Sequence, residues 1–324
     1  VTIADSGLDP GAPLRSALLV GIKNTFLLAI VGIPLLTVVG TLVGVARLST
    51  NWLVAKAATV YVETIRNIPP LLIIIFVFNV VILQLPPPSD PAQPLDWFVI
   101  SNLRILGPGI NTSEGAGTLM LIGLLGLIAA IVVGFWRTRY SEQTGHPHHR
   151  VLWSLGVFLA VFVIGYFLTG RPIAVSLPEV DGRIFSGGFG GLGAYFAVLV
   201  ALVLYTASHV AEIVRGSILA VDRGQTEAAN AIALTTFQRL RYVVLPQAFR
   251  IALPPIINQY LNFVKNTSLA IAVGFAEITL VTFQAIGNGY PAPQLILTLM
   301  GVYLIFSLTI SIVVNIVNRL SLIH

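Results

Sequence analysis

Glu63, Arg66, Glu212, Arg215, Lys265 and Glu277 are ionisable side chains in or beside long apolar runs. A charge at bilayer depth costs about 2.5–3.5 kcal/mol on insertion scales, so each needs an opposite charge or a wet path. Glu63 and Arg66 stand at i,i+3 and can pair on one helix face. Paired charges near helix ends, fixing helix register, are the favoured reading of Glu63, Arg66 and Arg215. Asn258, Asn262 and Lys265 fall at i, i+4 and i+7 and share one helix face. With His209 and Glu212 they are candidates for the lining of a polar path; a buried, satisfied histidine is an equally good reading of His209. His146, His148 and His149 sit together without carboxylate or thiolate support, so a solvated turn is favoured over a metal site and no metal is assigned. The chain has no cysteine, which excludes disulfides and thiolate metal sites.

The elements that must position these groups follow from composition. Of 324 residues, 56% are hydrophobic and only 10% charged, with a mean hydropathy of +0.90. A soluble domain of this size could not cover its surface with so little charge, and the class is a polytopic α-helical membrane protein. A β-barrel is disfavoured because the apolar runs are continuous rather than alternating. The net charge of +5 fits basic loops that fix topology better than nucleic-acid binding. The chain begins at Val1 rather than Met, which leaves room for an upstream segment, and no cleavable signal peptide is visible.

Residues 1–15, with Pro10 and Pro13, read as a loop. Ser16–Ala46 is apolar apart from Lys23 and Asn24, and is too long for one perpendicular span. Its first turns are placed at the interface and the span at 25–46. Gly40 and Gly44 form a small-xxx-small pair that would admit another helix closely. Further spans are expected over 57–85, 119–136, 151–168, 192–214, 251–275 and 295–317. Pro69 and Pro70 break the ladder of the second. The sixth is interrupted by Pro254, Pro255, Lys265 and Asn266. Residues 86–118 and 169–191 read as long loops rich in proline and glycine. A G-x-G-x-x-G at Gly188, Gly190 and Gly193 follows no expected strand and is read as loop rather than a dinucleotide site. Loops 47–56, 137–150, 215–250 and Arg319 carry eleven Lys and Arg, the opposite loops between spans only Arg104, Arg171 and Arg183. The first set is therefore assigned to the cytoplasm.

In the loop that starts at Arg215, Glu227-Ala-Ala precedes Thr235-Thr236 and then Leu245-Pro246. Thr235 or Thr236 can cap a second short helix, and Pro246 is expected to stop it. Two short helices at an angle make a compact knob. This pattern resembles the EAA loop of binding-protein-dependent ABC importer permeases, in which Ala233 stands for the family's glycine. YVETIRNIPPLL at 61–72, HVAEIVRGSILAVDRGQTEAA at 209–229 and LPQAFRIALPPIINQYLNFVKNTSLA at 245–270 are similar to motifs of the polar amino-acid uptake branch. The region 86–190, with two extra spans, resembles the larger general L-amino-acid permeases.

The resemblance implies an all-α fold, a type I importer permease core with an inserted pair of spans. Residues 1–24 would be an extracytoplasmic or interfacial segment and 25–85 the first two core spans. Residues 86–190 would be the insertion, and 191–324 the remaining core with a coupling loop at 216–250. Glu227, Ala228, Ala229, Ala233, Leu234, Leu245 and Pro246 would couple to an ATPase. His209, Glu212, Asn258, Asn262, Lys265, Thr267 and Ser268 would line the substrate path, supplying the cation and acceptor that a zwitterion requires. The implied partners are an ABC ATPase dimer, a second permease subunit, identical or homologous, an extracytoplasmic amino-acid-binding protein, an L-amino acid and the lipid bilayer. No nucleic acid is among them. The implied location is the bacterial inner membrane. No cofactor is expected in this chain; ATP and Mg would belong to the ATPase, because Lys23, Lys56 and Lys265 follow Ile, Ala and Val and no Gly-Lys of a P-loop exists. The alternative is a secondary transporter or channel driven by an ion gradient, which would need matching broken helices in both halves.

Overall fold

The computed structural model describes residues 13–144, 149–182 and 184–322. The expectations for residues 1–12, His146, His148 and Arg183 lie outside the described residues. In chain order the helices begin with α1 (Leu14–Ala46), α2 (Trp52–Arg66) and α3 (Pro70–Phe76), the last continued by a π-helical turn over Val77–Ile82. Strand β1 (Gly109–Thr112) leads to α4 (Ala116–Thr144) and α5 (Arg150–Leu168). Strands β2 (Ile173–Ser176), β3 (Glu179–Asp181) and β4 (Ile184–Ser186) precede α6 (Gly193–Leu219). Next come α7 (Arg223–Ala231), α8 (Thr236–Arg239) and a π-helical turn over Leu240–Val244. Helix α9 (Leu245–Asn266) then passes through a 3₁₀ stretch, Thr267–Val273, to α10 (Ile278–Gly287) and α11 (Ala292–Leu322).

Helices α1, α4, α5, α6 and α11 are each long and apolar enough to cross a membrane. Two bent pairs pass the same length and apolarity test together: α2 with α3 and its π turn, at 105°, and the Thr236–Val273 segment with α10, at 49°. The second expected span is thus not one rod. Pro69 and Pro70 remove two consecutive N–H donors where α2 ends, and Pro70 opens α3 at a position where a missing donor is tolerated. The first helix, in contrast, is continuous from Leu14, because Pro13 only caps it. Pro254 and Pro255 lie inside α9 without breaking it. Proline's fixed φ suits a helix, and the neighbouring turns keep their bonds. The real interruption comes later, at Gly274, whose φ is +67°.

The chain divides into two compact units. In the larger, α6 is the central element and buries fifteen of its 27 residues, Tyr195, Leu202, Ala207, Val210 and Ala211 among them. Between apolar spans there is no water to expel, so close van der Waals contact must hold helices together. Gly40 and Gly44 of α1 provide it. A Cβ at Gly40 would come 2.7 Å from the Val210 side chain, and one at Gly44 2.7 Å from the Ala211 carbonyl oxygen. Since 40 faces 210 and 44 faces 211 and 214, α1 and α6 run in the same direction. Helix α2 makes a contrast: its only buried residue is Val62. Asn51 starts it by accepting from the N–H groups of Leu53 and Val54, at 3.0 and 3.3 Å.

The smaller unit comprises Gln93–Val99 and Leu106–Phe189. Helices α4 and α5 form an antiparallel pair: Gly126 faces Val161, Gly134 faces Ser154 and Gly165 faces Ile122. Arg137 lies over the rings of Tyr140 and Trp153, at 5.4 and 5.3 Å. The loops expected on either side of these spans contain short strands. β1 pairs antiparallel with β2, Gly109 opposite Ser176 and Thr112 opposite Ile173. β3 and β4 form a hairpin with Glu179 opposite Ser186. A strand therefore does precede Gly188, whose N–H donates to Ser176 Oγ at 2.8 Å. Strands of three or four residues, with only one or two β-branched side chains each, are too short to announce themselves against glycine and proline neighbours.

Candidate functional site

The polar knob that follows α6 is built by explicit caps. Asp222 opens α7 by accepting from Gly224 N–H at 2.6 Å. Along α7, Glu227 and Ala228 are exposed while Ala229 turns inward. The helix ends in a paired-bond stop: Leu234 N–H donates to Ala229 O and Ala233 N–H to Asn230 O. The residue in the left-handed position of this stop is Ala233, with φ +60°. Thr235 then caps α8 in a reciprocal box with Gln238, each side chain accepting from the other's N–H, at 3.3 and 2.9 Å. Arg239 donates to Asn230 Oδ1 at 2.7 Å and ties α8 to α7, and Gln247 donates to Gln225 Oε1 at 3.2 Å and ties α7 to α9.

Leu245 and Pro246 do not end the knob as expected. They occupy the first turn of α9, where the missing proline donor is tolerated, and the π-helical turn before them runs straight in. Leu245 and Leu240 face Leu42, Val45, Leu48 and Ile218 across a groove of about 680 Å³. Leu234 is half-buried. Ile232, Phe237 and Tyr242 are 72%, 68% and 63% exposed, and Arg241 lies over the two rings. The knob is thus capped at both helix starts and leaves large apolar side chains uncovered.

The ionisable groups are arranged differently from their spacing. Glu63 and Arg66 do not pair with each other. Glu63 reaches Arg47 at 3.8 Å and Arg66 reaches Glu212 at 3.7 Å. Glu212 also bonds Arg47 directly and Arg215 at 3.2 Å. The i,i+3 spacing permits a local pair, but α6 and the end of α1 offer fixed partners that the spacing could not disclose. Arg47 is the residue that sequence reasoning missed here, and its side chain is only 7% exposed. His209, one turn before Glu212, is half-buried. Its Nδ1 lies 3.1 Å from Tyr205 O; since a carbonyl only accepts, Nδ1 carries the proton.

Asn258, Asn262 and Lys265 share an exposed face of α9. The opposite face is fastened to α1. Phe263 lies against Gly32, where a Cβ would come 2.1 Å from the ring, and Tyr260 OH meets Thr37 Oγ1 at 2.8 Å. Gly32 is fourteen residues before the end of α1, about 21 Å along its axis, so the polar face stands deep between the helix ends. Thr267 is buried and points away from that face; its hydroxyl donates to Val264 O at 2.7 Å and lies 3.4 Å from Tyr303 OH. Ser268 donates to Lys265 O at 2.8 Å. No hydrogen bond or ion pair joins His209 or Glu212 to Asn258, Asn262 or Lys265 among the described residues.

A second fastening holds the break beyond α9. Asn24 Nδ2 donates to Ala276 O at 2.8 Å, and Ile278 N–H donates to Thr25 Oγ1 at 3.2 Å. Glu277 is fully buried. It caps α10 by accepting from Leu280 N–H at 3.0 Å and accepts from Tyr303 OH at 3.0 Å. These partners lie up to about 250 positions apart in the chain, and only Glu277 and Asn24, as polar residues in apolar runs, left a signal in the sequence.

Residues 123–321 match the family of binding-protein-dependent transport system inner membrane components. The general L-amino acid transport system permease protein AapQ of Rhizobium johnstonii is 37% identical over 92% of this chain and 75% of its own length. The putative amino-acid ABC transporter permease protein YhdX of Escherichia coli K12 is 37% identical over 93% and 77%. The glutamate/glutamine/aspartate/asparagine transport system permease protein BztB of Rhodobacter capsulatus is 36% identical over 85% and 72%. Among solved structures, an amino acid ABC transporter crystallised with histidines superposes with a TM-score of 0.54 over 94% of both chains at 18% identity, a likeness of fold. Apolar spans, a capped knob and a polar face between the helix ends thus occur in a chain that belongs to the binding-protein-dependent transport system inner membrane components, as a multi-pass permease subunit of the ABC importer type.

Proposed function

We propose that this chain forms the translocation path of an ATP-driven L-amino-acid importer and couples that path to a separate ATPase through the knob of α7 and α8. The observation that carries the reading is the knob itself, capped at both helix starts, tied to α9 and uncovered at Ile232, Phe237 and Tyr242. The amino-acid class is supported by the names of the relatives, AapQ, YhdX and BztB. In this reading Glu227, Ala228, Ala229, Ala233 and Leu234 sit in the groove of the ATPase, while Leu245 and Pro246 carry its motion into α9. ATP and Mg are held by the ATPase dimer. A second permease subunit faces this one across the path, and an extracytoplasmic binding protein delivers the substrate.

Asn258, Asn262 and Lys265 form the wall of the path. An exposed lysine at this depth is unfavourable against lipid and is tolerated against water or a partner subunit. Lys265 supplies the cation for a substrate carboxylate and the two amides supply adaptable donors and acceptors.

The test replaces Glu227 by Arg in the complex of permease, ATPase and binding protein reconstituted in vesicles. Glu227→Arg is expected to insert normally and to abolish ATP-driven uptake of a labelled amino acid. Unchanged assembly with unchanged ATP-coupled uptake would remove the coupling role.

A further inference from the structure

Helix α2 of the larger unit carries two opposite charges one turn apart, Glu63 and Arg66, and both engage an ion pair on other helices. Arg47 at the end of α1 and Glu212 on α6 are bonded to each other across the seam that Gly40 and Gly44 close. That seam makes α1 and α6 one body. Helix α2 adds Glu63 against Arg47 at 3.8 Å and Arg66 against Glu212 at 3.7 Å. Around the group the charges alternate: Glu63, Arg47, Glu212, Arg66. Arg215 completes the set from α6. Both contacts of α2 are long, and Glu63 and Arg66 are 68% and 40% exposed, whereas Arg47 is 7% exposed.

Three further observations bear on how firmly α2 is held. It buries only Val62. Its connection to α3 is a 105° bend at Asn67–Pro69, followed by Pro70, so no continuous ladder of hydrogen bonds stiffens the joint. Beyond the packing of Val62 and Ile65, one hydrogen bond ties it to α6, Tyr61 OH to Leu204 O at 2.7 Å. Few buried contacts, a broken joint and long ion pairs mark the low-stability end of a fold, from which gates are drawn.

We propose that α2 is a gate helix of the translocation path and that Glu63 and Arg66 are its clasp. Closed, the helix docks its two charges onto the Arg47–Glu212 pair. Opening separates Glu63 from Arg47 and Arg66 from Glu212, while Arg47 and Glu212 remain together, so the body of α1 and α6 keeps its own charges satisfied throughout. The bend at Pro69–Pro70 is the hinge. Glu63 and Arg66 are positioning residues that set how long the gate stays shut. The proposal rests on the importer reading above.

The chain has no cysteine, so Thr64→Cys on α2 and Val38→Cys on α1 place a single pair of spin labels in each copy. Both sites are exposed. In the full complex in vesicles, the label distance is expected to take two values whose ratio changes between the nucleotide-free and ATP-trapped states. Adding Glu63→Gln and Arg66→Gln is expected to shift that ratio toward the longer distance roughly threefold. Arg66→Lys, which keeps the charge, is expected to lie between the two. Uptake by the unlabelled wild-type complex, measured in parallel, tests the importer reading alone. Normal uptake with one distance unchanged by nucleotide, or a ratio unmoved by the double substitution, overturns the clasp. Absent ATP-driven uptake sinks the importer reading and the clasp with it.

Discussion

Helices α6 and α2 are both read as parts of membrane spans, yet they are held in opposite ways. Helix α6 is wrapped by its neighbours and buries residues from Gly193 to Ser217. Helix α2 buries one and is held by the apolar contact of Val62 and Ile65, two stretched ion pairs and a tyrosine hydroxyl. The difference lies in residue size at the contact. Small side chains on α1 let α6 approach to van der Waals distance along several turns. Trp52, Leu53 and Val60 keep large side chains on the exposed surface of α2. Where backbones touch, the contact is dense and cannot slide without clashes; where only long polar tips touch, it can be broken and remade.

Gly40→Leu is expected to have the largest effect. The new side chain would start 2.7 Å from Val210, and overpacking on this scale costs about 1–3 kcal/mol or more. The expected outcome is a steep loss of thermal stability in detergent, read by fluorescence-detected size exclusion. Val60→Leu on α2, an exposed position, is expected to leave the midpoint unchanged, within about 0.5 kcal/mol. Equal effects at the two sites would mean that α2 is packed as firmly as α6.

Within the ion cluster the same contrast reappears at smaller scale. Glu212→Gln leaves the nearly buried Arg47 without its directly bonded carboxylate, a loss expected to cost about 3 kcal/mol. Glu63→Gln removes an exposed partner at 3.8 Å and is expected to cost about 0–1 kcal/mol. Thermal denaturation of both variants in the same detergent checks the ranking. If Glu63→Gln proves the more damaging, the fixed pair is not Arg47–Glu212 and the seam is not the rigid body.

The parts of this fold that were legible in the sequence are those decided locally. Apolar run length marks the spans, because a bilayer demands about twenty residues whatever surrounds them. The start of α8 was legible because Thr235 and Gln238 satisfy each other within one turn. The proline sites show where local rules fail. Pro69–Pro70 bends its span, while Pro254–Pro255 sits inside an unbroken α9; a helix already fastened through Tyr260 and Phe263 to α1 is held straight by contacts that no local window contains. The i,i+3 pairing of Glu63 with Arg66 failed for the same reason, since the competing partners lie on α1 and α6. Of the candidate path residues, the shared face of Asn258, Asn262 and Lys265 followed from periodicity. The inward turn of Thr267 toward Tyr303 did not, because it depends on where the 3₁₀ stretch begins.

The smallest effect, and the one that sharpens the comparison at the knob, concerns Ala233. Its φ of +60° places a Cβ in the left-handed region, which costs an L-residue about 1–2 kcal/mol relative to glycine. The strain is held by the two bonds that close α7 and by the box that opens α8. Ala233→Gly relieves the Cβ clash but gives the unfolded chain more freedom, so the net gain is expected to be about 0.5–1 kcal/mol. Hydrogen exchange at the Ala233 and Leu234 amides is expected to slow several-fold if the turn is held only by local bonds. If the amides of α7 and α8 slow with them by the same factor, α7, the turn and α8 open as one cooperative piece. In the proposed coupling role, a knob that opens as one piece would transmit a partner's movement to α9 without loss; a turn that yields separately would absorb part of it. The substitution therefore distinguishes a rigid coupling surface, of the kind that α6 represents within the span region, from a loosely held one like α2.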